Sequence, residues 1–276
     1  MDDVATEPVL LIEDAGPVRT LTMNRPAALN ALNAELTGAL SDAVRAAGEE
    51  DGVSVVVLRG AGRAFCAGYD LNEDATGGVM DARHWHADLA HATDRMLEIV
   101  DCPKPVIASV QSYCLAGGTD LMLACDLAVA SDDAYFGYVD VRFGSGVVSM
   151  FLPWIVGVRA AKELLFTGED RITAEEAHRM GLVNRVVSRD RLDEATMDLA
   201  EAIAKNEPFV VQTTKRAVNR VWDVAGFRAA MAANTELDVM IETANLPARD
   251  VFRRITQEQG LKAAIAWRDA RFRGEG

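Results

Sequence analysis

Apolar residues in the first part of the chain follow two alternating patterns, short continuous runs typical of strands and longer stretches with helical spacing. The runs at 9–13 and 18–23 predict a hairpin, and the continuous apolar runs at 53–58 and 106–110 predict strands covered on both faces. Helical spacing within 30–51 predicts a helix between them. The pattern therefore indicates a mixed α/β fold.

The segment 109–126 combines a strand end, a tight turn at Ala116-Gly117-Gly118 and an apolar helix with Asp120 in its first turn. A glycine turn that leads into a helix offers free backbone N–H groups and the positive end of the helix dipole. These groups can stabilise negative charge that develops on an oxygen atom. Asp120 has two possible roles, a reacting carboxylate or a simple charge partner of the helix N-terminus.

Helical spacing dominates the chain after Tyr135. Thr173, with Glu176 three residues later, predicts a capping box at the start of a helix, and Pro208 suits a first-turn position. The composition changes near residue 190, where short strands give way to helices. We therefore expect an α/β core at 1–190 and a helical C-terminal region at 191–276, which is an appendage and not an independent domain.

Composition excludes several classes of protein. The 276 residues carry a net charge of −14 and are 50% hydrophobic, so a nucleic-acid partner is not expected, because phosphate binding needs a basic face. No apolar run approaches the length of a membrane span, and the acidic N-terminus does not resemble a signal peptide, so we expect a cytoplasmic protein without a membrane partner. Cys66, Cys102, Cys114 and Cys125 lack metal-site spacing and are expected to be free thiols.

Four stretches, in order along the chain, carry a resemblance to a known family: MNRPAALNALN (23–33), RAFCAGYDL (63–71), SYCLAGGTDLMLACDLAVAS (112–131) and LLFTGEDRITAEEAHRMGLVNRVV (164–187). Together they resemble the crotonase superfamily, the enoyl-CoA hydratase/isomerase group. The resemblance implies a crotonase-like spiral of ββα repeats with a helical C-terminal region that mediates oligomerisation. It also implies a homotrimer or a dimer of trimers.

The family binds an acyl-CoA thioester and stabilises an enolate at the thioester carbonyl. By resemblance, the two N–H groups of the oxyanion hole belong to Tyr69 and Gly117, and no cofactor is needed since CoA is part of the substrate. Preorganised donors suit such an oxyanion, because removing one of them costs on the order of 3 kcal/mol in other enzymes.

The two glutamates that hydratases use as acid and base map onto Asp120 and Asp140. Each aspartate is one methylene shorter, a difference in reach of roughly 1.5 Å, and a misplacement of about 1 Å can cost about 100-fold in rate. Asp140 has a surface or structural alternative, and Val139 stands where the family has proline. Tyr138 is expected to serve in packing, with a hydroxyl contact as its alternative.

The resemblance also implies contacts with the substrate. The expected contact residues are Arg25, Ala27, Cys66, Ala67, Gly68, Tyr69, Asp70, Leu71, Tyr113, Leu115, Gly117 and Gly118. Arg25 is the preferred candidate for the nucleotide end of CoA and Arg63 a weaker one, whereas Ala264 and Trp267 stand where many hydratases have an aromatic residue and a lysine. His84, His86 and His91 are expected to be exposed on a polar helix, so no metal is assigned.

These observations predict an enzyme, a lyase of the enoyl-CoA hydratase type. An enoyl-CoA isomerase keeps the same site and needs only one carboxyl group. A racemase, decarboxylase or hydrolase also fits the fold, since one fold hosts many chemistries. A homologue that binds acyl-CoA without catalysis is the alternative from another class.

Overall fold

The computed structural model describes residues 7–72, 81–244 and 246–273, and its strands form two separate sheets. The strands are β1 (Leu10–Ala15), β2 (Val18–Met23), β3 (Val55–Gly60), β4 (Val106–Val110), β5 (Tyr113–Leu115), β6 (Leu127–Ser131), β7 (Tyr135–Gly137), β8 (Ile172–Thr173) and β9 (Arg185–Val187). The sheets place helices on either side, which confirms the predicted α/β class.

The α-helices of the described residues come from both halves of the chain. They are α1 (Ala34–Glu49), α2 (Ala82–Asp101), α3 (Gly117–Ala124), α4 (Leu152–Val156), α5 (Val158–Thr167), α6 (Ala174–Met180), α7 (Leu192–Ala204), α8 (Pro208–Val224), α9 (Phe227–Glu242), α10 (Pro247–Gln259) and α11 (Leu261–Arg273). Short 3-10 helices lie at Pro26–Ala28, Asp140–Phe143 and Arg189–Arg191.

The larger sheet has the order β1-β2-β3-β4-β6-β9. β1 and β2 pair antiparallel, which confirms the predicted hairpin, and every later neighbour pairs parallel. One face packs against α1 through Leu36 and Leu40, and the other packs against α7 through Leu192 and Ala200. Burial on both faces explains why β3 and β4 read as continuous apolar runs.

Local signals set the ends of several helices. The side chain of Asn33 accepts a hydrogen bond from the Leu36 amide at 3.0 Å and caps α1. Thr173 and Glu176 form the predicted capping box at α6, and Pro208 begins α8 as expected. The side-chain caps at α1 and α6 satisfy N–H groups that a helix start leaves without partners, whereas the proline at the start of α8 has no N–H group to satisfy.

The smaller sheet, β5-β7-β8, is absent from the sequence-based expectations. Its strands have two or three residues, too few for a hydrophobic period to be read. β5 also forms a parallel bridge between Cys114 and Cys66 of the preceding loop. This sheet therefore ties the 65–70 loop to the start of α3.

The helices after residue 190 return to the core. α9 packs against α2. The ring of Phe252 in α10 stacks on the ring of Phe143 in the 3-10 helix Asp140–Phe143, with the ring centroids 5.0 Å apart. None of the helices in the described ranges has the length and hydropathy of a membrane span. The division into a core at 1–190 and a C-terminal region at 191–276 stays a prediction. Its first six and last three residues lie outside the described residues.

Gly118→Ala tests the close packing of the 65–70 loop on α3. An added Cβ would lie 2.4 Å from the carbonyl oxygen of Cys66, and overpacking of this kind costs about 1–3 kcal/mol. We expect a lower free energy of unfolding in urea. Gly52→Ala is the control, because its Cβ would meet only the Glu50 side chain, at 3.7 Å; equal stability of the two variants would contradict the packing argument.

Candidate active site

Two loops meet side by side at the start of α3. The amide of Cys66 donates to the carbonyl of Tyr113 at 3.1 Å, and the amide of Leu115 donates to the carbonyl of Cys66 at 3.0 Å. This pairing brings Gly68 so close to α3 that a Cβ on it would lie 3.3 Å from the amide nitrogen of Gly117. Backbone hydrogen bonds thus place the two predicted oxyanion segments against each other.

The amides of Tyr69 and Gly117 are left available by their local structure. The bridge between Leu32 and Tyr69 uses the amides of Leu32 and Asp70, so the Tyr69 N–H points away from it. Gly117 is the first residue of α3, where an N–H has no partner within the helix. Ala116 in this turn has φ 51°, a backbone conformation that residues other than glycine rarely adopt.

A cavity of about 330 Å³ adjoins these loops. The predicted contact residues on its wall are Ala67, Tyr69, Asp70 and Leu71, and Asp140 lies on the same wall. One face of α2 and the N-terminal turn of α1 also line it, together with residues between 143 and 148 and side chains of the C-terminal helices. The cavity therefore joins one loop of the oxyanion hole to one of the two predicted acids.

Asp140 opens the 3-10 helix and presents a buried oxygen atom. Its Oδ2 has no hydrogen-bond partner among the described residues. Burial raises the pKa of this carboxyl to about 7; the nearby charge of Glu242 adds to the rise and that of Arg268 opposes it. A carboxyl group with this pKa can hold a proton near neutral pH and release it.

Asp120 is 1% exposed and differs from Asp140 in its partners. The hydroxyl of Tyr138 donates to its Oδ1 at 2.8 Å, and the backbone of Ser149 donates as well. Burial raises the pKa of Asp120 well above its usual range, whereas the Tyr138 hydrogen bond favours the ionised form. The expectation that Tyr138 serves in packing alone is wrong, because its hydroxyl contacts an ionisable group.

Asp120 is not on the wall of the cavity that Asp140 lines. The ring of Tyr69 packs directly on Gly117, since two of its carbons lie 2.5 and 2.7 Å from where a Cβ would be. Burial raises the pKa of the Tyr69 phenol, and the charge of Asp120 raises it further. The Tyr69 side chain therefore adjoins both the oxyanion turn and Asp120, so it shapes the site beyond its amide.

Two acids from α9 were not anticipated. Glu242 lines the cavity and pairs with Arg249 at 2.7 Å. Asp238, one turn earlier, is 2% exposed, and neither of its oxygens has a partner in the described part of the chain. Burial, then the charges of Glu242 and Asp140, raise its pKa to about 7. Asp238 and Glu242 share helical spacing with Met231, which is buried. This spacing is the sequence signal that places both acids on the inward face of α9.

Comparison with known proteins gives the family. The family model described as enoyl-CoA hydratase/isomerase matches residues 13–247. The chain belongs to this family. It is 36% identical over 217 residues to the short-chain-enoyl-CoA hydratase of Clostridium acetobutylicum, with 76% of this chain and 81% of that protein covered. The same comparison finds 35% identity over 216 residues with the crotonyl-CoA hydratase of Syntrophomonas wolfei, with 76% and 81% covered.

A solved structure agrees with the enoyl-CoA hydratase/isomerase assignment. The crystal structure of an enoyl-CoA hydratase/isomerase from Xanthobacter autotrophicus Py2 matches with a TM-score of 0.93 and 42% identity, over 96% of this chain and 99% of that chain. The crotonase-like fold and the membership in a family of lyases, both expected from four sequence stretches, are therefore confirmed.

Several contact residues expected for this family lie away from the cavity wall. They are Arg25, Ala27, Cys66, Gly68, Tyr113, Leu115, Gly117 and Gly118. Arg25 donates to Asp70 at 2.8 Å and also to the carbonyl of Ala31, so its guanidinium is engaged within the protein. Burial opposes ionisation of Asp70, but hydrogen bonds from Arg25 and Asn72 outweigh it and lower its pKa.

The remaining cysteine and histidine expectations concern the surroundings of the site. All four cysteines are free, and burial raises the pKa of the Cys66 thiol to about 12, so this thiol is not a nucleophile near neutral pH. His84, His86 and His91 are exposed on α2, as expected. Within the described ranges no group of three His, Cys, Asp or Glu side chains could hold a metal ion.

Tyr138→Phe tests the hydroxyl contact with Asp120. Loss of the donor removes support for the ionised carboxylate, so the pKa of Asp120 rises. If that carboxylate is the base, activity falls by about tenfold at neutral pH and the acidic limb of the pH–rate profile moves to higher pH. Tyr135→Phe, at a residue that is 39% exposed, is the control. An unmoved profile in Tyr138→Phe would show that the hydroxyl does not act on the base.

Proposed function

We propose that this chain adds water across the double bond of an enoyl-CoA thioester, or removes it in the reverse direction. The observation that carries the proposal is the unpartnered Oδ2 of Asp140 on the wall of a cavity shared with the oxyanion loop. An acid beside an oxyanion site can deliver a proton to the carbon next to the thioester carbonyl.

The two aspartates divide the roles according to their surroundings. We assign Asp120 as the base because it accepts hydrogen bonds from Tyr138 and Ser149, which favour the ionised form, although burial raises its pKa well above the usual range. Asp140 has no donor on Oδ2 and keeps its proton up to about pH 7, which makes it the acid.

The proposed steps balance without a cofactor. Asp120 takes a proton from water as the water oxygen adds to the β-carbon of the substrate. The electron pair of the double bond moves to the thioester oxygen, where the amides of Tyr69 and Gly117 stabilise the negative charge. When the carbonyl re-forms, Asp140 gives its proton to the α-carbon, and proton exchange with solvent then removes the proton from Asp120 and returns one to Asp140. CoA is part of the substrate in this scheme.

Isomerisation is a second candidate, and one observation favours it. Asp140, but not Asp120, lies on the cavity wall. A single carboxyl group can move a proton between two carbons, so a 3-enoyl-CoA could be converted to a 2-enoyl-CoA at the same site.

Asp140→Asn tests the acid. Hydration of crotonyl-CoA is followed by the loss of absorbance at about 263 nm, and we expect the variant to lose about 100-fold or more in kcat. In the wild-type enzyme, kcat for hydration should fall above about pH 7, where Asp140 loses its proton. Dehydration of 3-hydroxybutyryl-CoA should rise over the same range, because that direction needs the ionised carboxylate.

Asp51→Asn, at an exposed acid, is the control for that experiment. If Asp140→Asn keeps wild-type turnover, the role assigned to Asp140 is wrong. If the wild-type enzyme converts 3-hexenoyl-CoA but leaves crotonyl-CoA unchanged, the isomerase reaction replaces hydration. Tight binding of both thioesters without turnover would instead support a non-catalytic homologue.

A homotrimer, or a dimer of trimers, is part of the proposal. The support is a row of exposed apolar side chains on α8, in which Phe209 is 74% exposed, Val218 63%, Val221 66% and Val224 78%. A row of this kind marks a surface that another protein covers. A second copy of the chain would bury it.

The mass in solution tests this assembly. Light scattering should give three or six times 29.8 kDa. The double variant Val218→Asp/Val221→Asp should give the single-chain mass, because two charges oppose burial of the row. Arg216→Asp, at an exposed polar position of α8, should leave the assembly intact. A single-chain mass for the unmodified protein would refute the trimer.

A further inference from the structure

Arg95 is a cation on the wall of the cavity with an unsatisfied donor. It lies on the face of α2 that lines the cavity, together with Leu89 and Ala92. Its Nε donates to Nε2 of His91 at 2.9 Å. Its Nη1 is buried and has no hydrogen-bond partner among the described residues.

Most other charges on the cavity wall are neutralised by protein partners. The pairs are Asp70 with Arg25 at 2.8 Å, Glu242 with Arg249 at 2.7 Å and Arg268 with Asp269 at 2.8 Å. Asp88 is exposed to solvent, and Asp140 holds a proton up to about pH 7. Arg95, by contrast, forms no ion pair within residues 7–72, 81–244 and 246–273.

A buried N–H of a guanidinium is unfavourable without an acceptor, and a carboxylate is the acceptor that best matches its geometry. We propose that Arg95 binds an anionic group on the acyl part of the substrate, so that the substrate class is an acyl-CoA with a carboxylate at the far end of its acyl chain. This inference rests on the proposed function of the cavity as a thioester site.

The phosphates of CoA share this anionic chemistry. The acyl carboxylate is favoured because Arg95 lines the same cavity as Tyr69 and Asp140, which are proposed to contact the reacting atoms. Arg63, an exposed cation outside the cavity wall, is available for the nucleotide end. The binding experiment below distinguishes an acyl carboxylate from a CoA phosphate as the anion that Arg95 binds.

Binding of saturated thioesters tests the inference without turnover. Dissociation constants are measured by calorimetry for glutaryl-CoA and adipyl-CoA, which carry a carboxylate, and for butyryl-CoA and hexanoyl-CoA, which do not. We expect wild-type enzyme to bind at least one of the carboxylated thioesters about tenfold more tightly than its neutral counterpart. Arg95→Gln should lose this preference, and Arg95→Lys should keep part of it because the charge remains.

Arg83→Gln, at an exposed position on α2, is the matched control and should bind like wild type. Equal affinity of wild-type enzyme for carboxylated and neutral thioesters would overturn the inference, and this comparison needs no variant to fold. An equal loss for all CoA thioesters in Arg95→Gln, with unchanged binding of butyryl-pantetheine, would assign Arg95 to a CoA phosphate and also overturn it. Because these ligands lack the double bond, a failed preference is distinguishable from a failed hydratase assignment.

Discussion

The site depends on one piece of backbone pairing, the parallel bridge between Cys66 and Cys114. The carbonyl of Cys66 accepts from Leu115, and the same carbonyl leaves no room for a side chain on Gly118. This contact holds the 65–70 loop against the first turn of α3. The two amides proposed for the oxyanion hole belong to different segments, and this pairing links those segments directly.

Much of the fold could be predicted because its signals are local. The hairpin, the buried strands β3 and β4 and the capping box at Thr173 each depend on residues close together in sequence. The small sheet could not be predicted, since strands of two or three residues have no period and form only when distant segments meet. A family resemblance supplied the positions of Tyr69 and Gly117, which hydrophobic patterns alone do not give.

The polar contacts within the site were beyond the reach of sequence. Tyr138 and Asp120 are 18 positions apart, and their hydrogen bond requires β7 to lie beside β5. Glu242 and Arg268 reach the cavity from the C-terminal helices, for which the family resemblance implies a role in oligomerisation. The C-terminal helices therefore supply part of the cavity wall, whether or not they also form an interface between copies.

Asp120 and Asp140 stand where the family resemblance implies two glutamates, so each proposed acid is one methylene shorter. Both carboxyl groups are buried, and burial raises the pKa of each. For Asp120 this rise is opposed by two donors, Tyr138 and Ser149, whereas Oδ2 of Asp140 and both oxygens of Asp238 have no partner among the described residues.

Burial raises the pKa of both carboxyl groups, and they differ in that Asp120 accepts a hydrogen bond from Tyr138 whereas Oδ2 of Asp140 has no partner among the described residues; this difference is the basis of the proposed division into base and acid. The Tyr69 ring lies against both Gly117 and the surroundings of Asp120. In the proposed mechanism, a thioester held by the Gly117 amide lies beside this ring, so the Tyr69 side chain would limit the acyl groups that fit next to Asp120.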